Sequence, residues 1–183
     1  ASIYVPLDGM NEKGLCISDL IEIDGSTEVP DTDKADLTIV AAIRLVLDYA
    51  KDTEEAVKLL SEYDVFPSVN AAHHLAISDI NNHNVVVEWK NGQMRVTDTD
   101  IVTNHCLAEP IESPMTGESY RRFAKLTEMH SGFKTQEEGI QALKEASYEE
   151  ETLWSVIYNK EELSSTIYFD RKWDQPLSFS IKD

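Results

Sequence analysis

Ala72-His73-His74-Leu75-Ala76-Ile77-Ser78-Asp79, Asn84-Val85-Val86-Val87-Glu88-Trp89 and Met94-Arg95-Val96-Thr97-Asp98 are the runs on which the fold turns. Their side chains change character with a period of two, which is the strand period. Asn81-Asn82-His83-Asn84 connects the first run to the second, and Asn91-Gly92 connects the second to the third. Asn-Gly is a strong two-residue hairpin signal, because both central positions of a type I′ turn need positive φ. The stretch is predicted to be an antiparallel meander, with Asp100–Thr103 continuing as a short strand.

Helical periods flank this meander. Leu37–Lys51 is predicted as the strongest helix, with Leu37, Val40, Ala41, Arg44, Leu45, Leu47 and Asp48 forming a mostly apolar face whose charges lie at its margin. Asp52 with Glu55 resembles a capping box opening a second helix through about Tyr63. Glu118–His130 and Thr135–Ser147 are two further helices, the latter with a Thr135/Glu138 capping box. Ser2–Leu7 and Gly14–Ile23 are predicted strands at the start, with Asp8-Gly9 as a turn. Leu153–Asn159, Ser164–Asp170 and Leu177–Ile181 are predicted strands at the end. Asp24–Asp36 and Pro110–Gly117 read as loops. Segregated runs of strands and helices imply one α+β layered domain over residues 1–183.

The chain has 183 residues, 42% of them hydrophobic, enough for a single domain with its own core. Its formal net charge is −18. A polyanion repels nucleic acid and anionic lipid, so neither is an expected partner. No apolar run approaches the roughly 20 residues of a membrane span. Two cysteines, Cys16 and Cys106, make no disulfide scaffold.

Spacing along the chain offers no metal site. His73 and His74 are neighbours on a strand and point to opposite faces, and His105 beside Cys106 has the same defect. Cys16 reads as a small buried hydrophobe, and Cys106 as a structural cysteine better placed for reactivity. Acidic pairs such as Glu22/Asp24, Asp98/Asp100 and Glu149/Glu150/Glu151 read as solvated faces and turns in so acidic a chain. No Gly-x-Ser-x-Gly elbow and no phosphate-binding glycine loop is present.

An ordered set of patches carries more information. Asp8-Gly9-Met10-Asn11-Glu12-Lys13-Gly14-Leu15-Cys16-Ile17-Ser18 is the first. His74 to Gly92 with Thr103-Asn104 is the second, and Ser119-Tyr120-Arg121-Arg122-Phe123 the third. A weaker fourth is Trp154-Ser155-Val156-Ile157-Tyr158-Asn159 with Thr166–Phe169. In order and spacing the set resembles the linear amide C–N hydrolases, the choloylglycine hydrolase family with bile salt hydrolases, penicillin V acylases and isopenicillin N acyltransferases. The resemblance implies a four-layer αββα sandwich of the N-terminal-nucleophile hydrolase type. It also implies a processed N-terminal cysteine that attacks an amide carbonyl, and no cofactor or metal. It maps Asn104 to an oxyanion donor and Arg122, or its neighbour Arg121, to an active-site arginine. Bile salt hydrolases carry an asparagine where this chain has Leu20-Ile21. Those positions are expected to border the substrate and to supply a backbone N–H instead.

Ala1 departs from the pattern, because the family needs a nucleophile at residue one. Ala1-Ser2-Ile3-Tyr4-Val5 reads as the middle of a strand. The expectation is that this chain is the larger, C-terminal part of such a protein, incomplete at its N-terminus and inactive alone. Its expected partners are a small-molecule amide substrate and a missing N-terminal segment carrying the nucleophile. The alternative is a binding module that kept the fold, lost catalysis and pairs through edge strands with a partner or a second copy of itself.

Overall fold

The structure is a computed structural model that describes residues 6–23, 31–68, 71–108, 116–130, 135–148 and 151–182. Among these, the order is β1 (Asp8–Met10), β2 (Cys16–Glu22), β3 (Ala35–Thr38), α1 (Ile39–Tyr49), α2 (Thr53–Leu60), β4 (Tyr63–Phe66), β5 (Ala72–Ser78), β6 (Asn84–Lys90) and β7 (Gln93–Asp98). Then follow α3 (Glu118–Met129), α4 (Gln136–Ala146), β8 (Trp154–Asn159), β9 (Ser164–Phe169) and β10 (Leu177–Ser180). No described helix is long and apolar enough to cross a membrane.

The meander forms as its periodicity requires. Asn91 and Gly92 take φ of 51° and 67°, and the β6–β7 register closes on Lys90 opposite Gln93. With β2 and β1 added, the antiparallel sheet has the order β1-β2-β5-β6-β7. One face of it carries Ile17, Leu75, Ile77, Val85 and Val87, which meet Ile39, Ala42, Ile43 and Val46 of α1 and Ala56 and Leu60 of α2 in one buried cluster. The opposite face looks toward a second antiparallel sheet, β10-β9-β8. Tyr158 of β8 donates to Asp8 Oδ1 at 2.6 Å, and Lys160 Nζ donates to Ser78 Oγ at 2.8 Å. Beside Lys160, a cavity of about 330 Å³ is lined by residues including Cys16, Ala76, Val86 and Ile101. The outer face of β8 meets α4, where the Cα of Gly139 faces Ile157, and α3 packs beside α4. The layers are therefore helix, sheet, sheet, helix, as the resemblance implied.

Several local expectations are corrected. Asp8 and Gly9 belong to β1, and the turn falls at Glu12-Lys13. Asn11 makes that turn: Oδ1 accepts from Lys13 N and Leu15 N, while Nδ2 reaches Leu47 O and Ala50 O at the end of α1. The inward face of α1 is Ile39, Ala42, Ile43 and Val46, and Arg44 and Asp48 point to solvent as an ion pair. Asp52 caps α2 through Glu55 N, but Glu55 returns its carboxylate to Lys51 N, so the box is not reciprocal. The helix ends at Leu60 because Tyr63–Phe66 pairs in parallel with β3, which itself occupies part of the expected loop. Asp100–Thr103 forms no strand. Thr135 and Glu138 do form the reciprocal box at the start of α4. Residues 2–5, 24–30, 110–115, 149 and 150 lie outside the described residues, and with them parts of the expected first strand, both expected loops and one acidic run.

Candidate active site

The site lies along the edge of β2 that pairs with β1. Alternate residues of a strand turn their backbone polar groups to the same edge, and residues 19 and 21 of β2, with residue 23 just after it, face the β1 side. Asp19 N–H donates to Leu7 O at 2.7 Å. Two residues on, the same edge meets Asn104. Its Nδ2 donates to Ile21 O at 2.8 Å, and its backbone O accepts from Ile23 N–H at 2.6 Å.

Asn104 is held from behind by α3. Its N–H donates to Ser119 Oγ at 2.8 Å, and Thr103 Oγ1 donates to Ser119 O at 3.0 Å. His105 stacks on Tyr120 with ring centroids 4.2 Å apart and meets the edge of Phe123 at 4.9 Å. Arg122 Nη2 donates to Asn104 Oδ1 at 2.7 Å. A donor on one side and an acceptor on the other settle which end of the amide is which. One Nδ2 hydrogen is spent on Ile21 O, and the second remains to be donated.

Of the two candidate arginines, Arg122 reaches the site. Arg121 faces solvent and pairs with Glu118 at 2.7 Å. The Arg122 guanidinium lies 5.9 Å from the Tyr148 ring centroid, and its buried Nε has no hydrogen-bond partner among the described residues. Burial holds its pKa below the usual arginine range. Ile21 is 50% exposed beside Asn104. The half-buried Leu20 side chain projects to the other face, opposite His74.

Neither cysteine is prepared for attack. Cys16 is buried in β2, and burial pushes its thiol up to about 12. Cys106 is half-buried and pushed up to about 11, first by burial and then by the Glu88 and Glu22 carboxylates. Tuned nucleophilic thiols go the other way.

Strand pairing also assembles a group that linear spacing does not reveal. Glu22, expected on a solvated face, is 4% exposed and lies with His74 and Glu88 on the inner face of the sheet. Burial raises the Glu22 carboxyl above the ordinary range, a shift opposed by a hydrogen bond from Cys106. His73 points the other way and pairs with Asp19 at 2.9 Å, as adjacent strand positions must.

A family model described as acyl-coenzyme A:6-aminopenicillanic acid acyl-transferase matches residues 5–173. The chain belongs to that family. Solved structures with its fold include penicillin V acylase from Agrobacterium tumefaciens, 19% identical, with a TM-score of 0.75, covering 98% of this chain and 67% of that one. A variant of conjugated bile acid hydrolase from Clostridium perfringens is 14% identical, with a TM-score of 0.70, covering 96% of this chain and 73% of that one. Among curated protein sequences none matches. The chain shares the fold of these enzymes.

Proposed function

We propose that this chain supplies the oxyanion-binding and supporting residues of an enzyme that cleaves small-molecule linear amides through a thioester. The observation that carries the reading is the Asn104 amide, locked between Arg122 and Ile21 O with one N–H left to give. The Ile21 backbone N–H faces the same edge of β2 as Ile21 O. Two N–H groups so placed suit the oxygen of a tetrahedral intermediate, whose charge appears only during reaction. The exposed Ile21 side chain would border the acyl group, with Leu20 supporting the strand from behind.

The chemistry follows from the family. A thiol sulfur bonds to the amide carbonyl carbon and its proton passes to an α-amino group, whose ordinary value of about 7.7–8.0 suits a base near neutrality. The tetrahedral adduct then breaks its C–N bond, and the amine leaves with a proton. The thioester passes its acyl group to water, or to an amine acceptor as the family's description names for its type member. A mid-chain cysteine has an amide nitrogen and no such base. For Cys16 and Cys106 the raised thiols add a second objection. The nucleophile is therefore proposed to come from a segment outside these 183 residues.

Assay of the purified chain against a panel of N-acyl amides tests this. No turnover is expected. Turnover that disappears in Cys106→Ser would sink the proposal. In a longer polypeptide that carries the nucleophile, Asn104→Ala is expected to lower kcat about 100–1000-fold, the usual loss for one oxyanion donor. Arg122→Lys should lower it less, since a lysine keeps the charge but loses the planar fork that holds Oδ1.

A further inference from the structure

On the inner face of the five-stranded sheet, three ionisable side chains from neighbouring strands converge: Glu22 of β2, His74 of β5 and Glu88 of β6. Their exposures are 4%, 0% and 1%. Each offers one ligand atom, and these atoms lie within 4.8 Å of one another. The register explains the meeting. His74 is directly opposite Glu88 on one side and Leu20 on the other, and Glu22 lies one pleat beyond Leu20 on the same face.

Hydrogen bonding inside the group leaves a particular deficit. His74 Nδ1 is 3.0 Å from Glu88 Oε1. Nδ1 is thus the ring atom that faces the carboxylates, and an ion seated between Nδ1 and Oε1 would displace the proton they share. Among the described residues, Glu22 Oε1 is buried with no hydrogen-bond partner. Glu22 Oε1 lies in the same cluster, and a buried carboxylate oxygen without a donor is rare and costly. A cation in the cluster satisfies it. Glu88 is already aimed, because Leu107 N–H at 2.9 Å and Ala108 N–H at 2.7 Å hold its two oxygens. Such outer hydrogen bonds are the usual support of a metal-binding carboxylate.

We propose that Glu22, His74 and Glu88 form a binding site for one divalent first-row transition-metal ion of the Zn²⁺ type. An imidazole with two carboxylates suits such an ion better than Mg²⁺ or Ca²⁺, which prefer all-oxygen shells. Tetrahedral bonds of about 2.0–2.2 Å place ligand atoms roughly 3.3–3.6 Å apart. A modest closing of the three side chains reaches that spacing from 4.8 Å or less. The ion would tie β2, β5 and β6 together, and through Glu88 the segment that follows Asn104. It does not depend on the Asn104 amide or on the proposed reaction.

The test uses the chain stripped with a chelator and titrated separately with Zn²⁺, Co²⁺, Mg²⁺ and Ca²⁺. One equivalent of Zn²⁺ or Co²⁺ per chain is expected, with a rise in Tm and a visible Co²⁺ absorption band. Glu22→Gln, nearly isosteric, should weaken Zn²⁺ binding by at least about 10-fold. His83→Gln, at the exposed His83–Asp98 pair, should leave it unchanged. Should Glu22→Gln not fold, bound Co²⁺ in the unaltered chain still reports by paramagnetically shifting the His74 ring resonances. The proposal is overturned by no stoichiometric uptake, by uptake that survives Glu22→Gln, by loss of uptake in His83→Gln, or by shifts on another histidine.

Discussion

Asn104 and His73 illustrate how a single polar side chain can be committed by its neighbours. The Asn104 amide is oriented by one donor and one acceptor. His73 is 6% exposed and gives Nδ1–H to Asp19 at 2.9 Å and Nε2–H to Ser68 O at 3.0 Å. Two acceptors for two ring nitrogens favour the imidazolium, and the Asp19 bond, the largest influence, raises the His73 pKa above its ordinary value. A raised folded value stabilises the fold fully below the unfolded pKa of about 6.5, and that contribution is lost as pH rises through the folded value. The Tm advantage of the native chain over His73→Gln should therefore be largest near about pH 6 and shrink above it. An advantage that stays constant from acid to alkaline pH would mean a neutral imidazole. Asn104 and Arg122 stand in the ordered motif set, and the fold joins them by a hydrogen bond. Choosing Arg122 over Arg121 needed the helix phase against Asn104. Glu22 was not legible, since its acidity in an acidic chain says nothing and its neighbours come from other strands.

Elements were legible where a local rule acts alone. The Asn91-Gly92 hairpin and the Thr135/Glu138 box follow from turn and cap chemistry that needs no tertiary partner. The α1 face was misassigned because Arg44 and Asp48 fit the same helical period as the apolar residues beside them, and burial chose the neighbouring stripe. Asn104 was expected to end a strand, but its segment is tied to α3 and the β2 edge instead. Two glycines separate local preference from tertiary constraint. Gly14 has φ of +76°, and an added Cβ would stand 3.0 Å from Lys160 O in the β8–β9 turn. Gly139 lies inside α4, where an added Cβ would meet Ile157 at an ordinary 3.6 Å. Gly14→Ala should destabilise by more than about 1 kcal/mol through backbone strain. Gly139→Ala should stabilise by about 0.5–1 kcal/mol through helix propensity. Urea midpoints of the two variants should move in opposite directions. A common direction would place the α4 and β8–β9 packing wrongly.

At the scale of the molecule, strand and helix order was legible, but the stacking of two sheets was reached only through family resemblance. Local patterns do not say which face of one sheet meets which face of another. Here Asp8, gripped by Tyr158 and Trp154, and Lys160, bonded to Ser78 and Asn82, join the sheets. These polar links act within a body of 34 acidic and 16 basic residues, a formal charge of −18. Folding draws those charges together, and the expanded chain relieves their repulsion. Ion pairs oppose this weakly: Arg44–Asp48, Lys51–Glu55 and Arg121–Glu118 all lie at the surface, where such pairs contribute little. Salt should therefore stabilise the protein. The Debye length falls from about 30 Å at 0.01 M to about 8 Å at 0.15 M, so most of the effect belongs to that range. Thermal unfolding at fixed pH in increasing NaCl should show Tm rising steeply at first and then levelling. A Tm that falls as salt is added would mean that the surface pairs outweigh the net repulsion, and would reverse this ordering of the two effects.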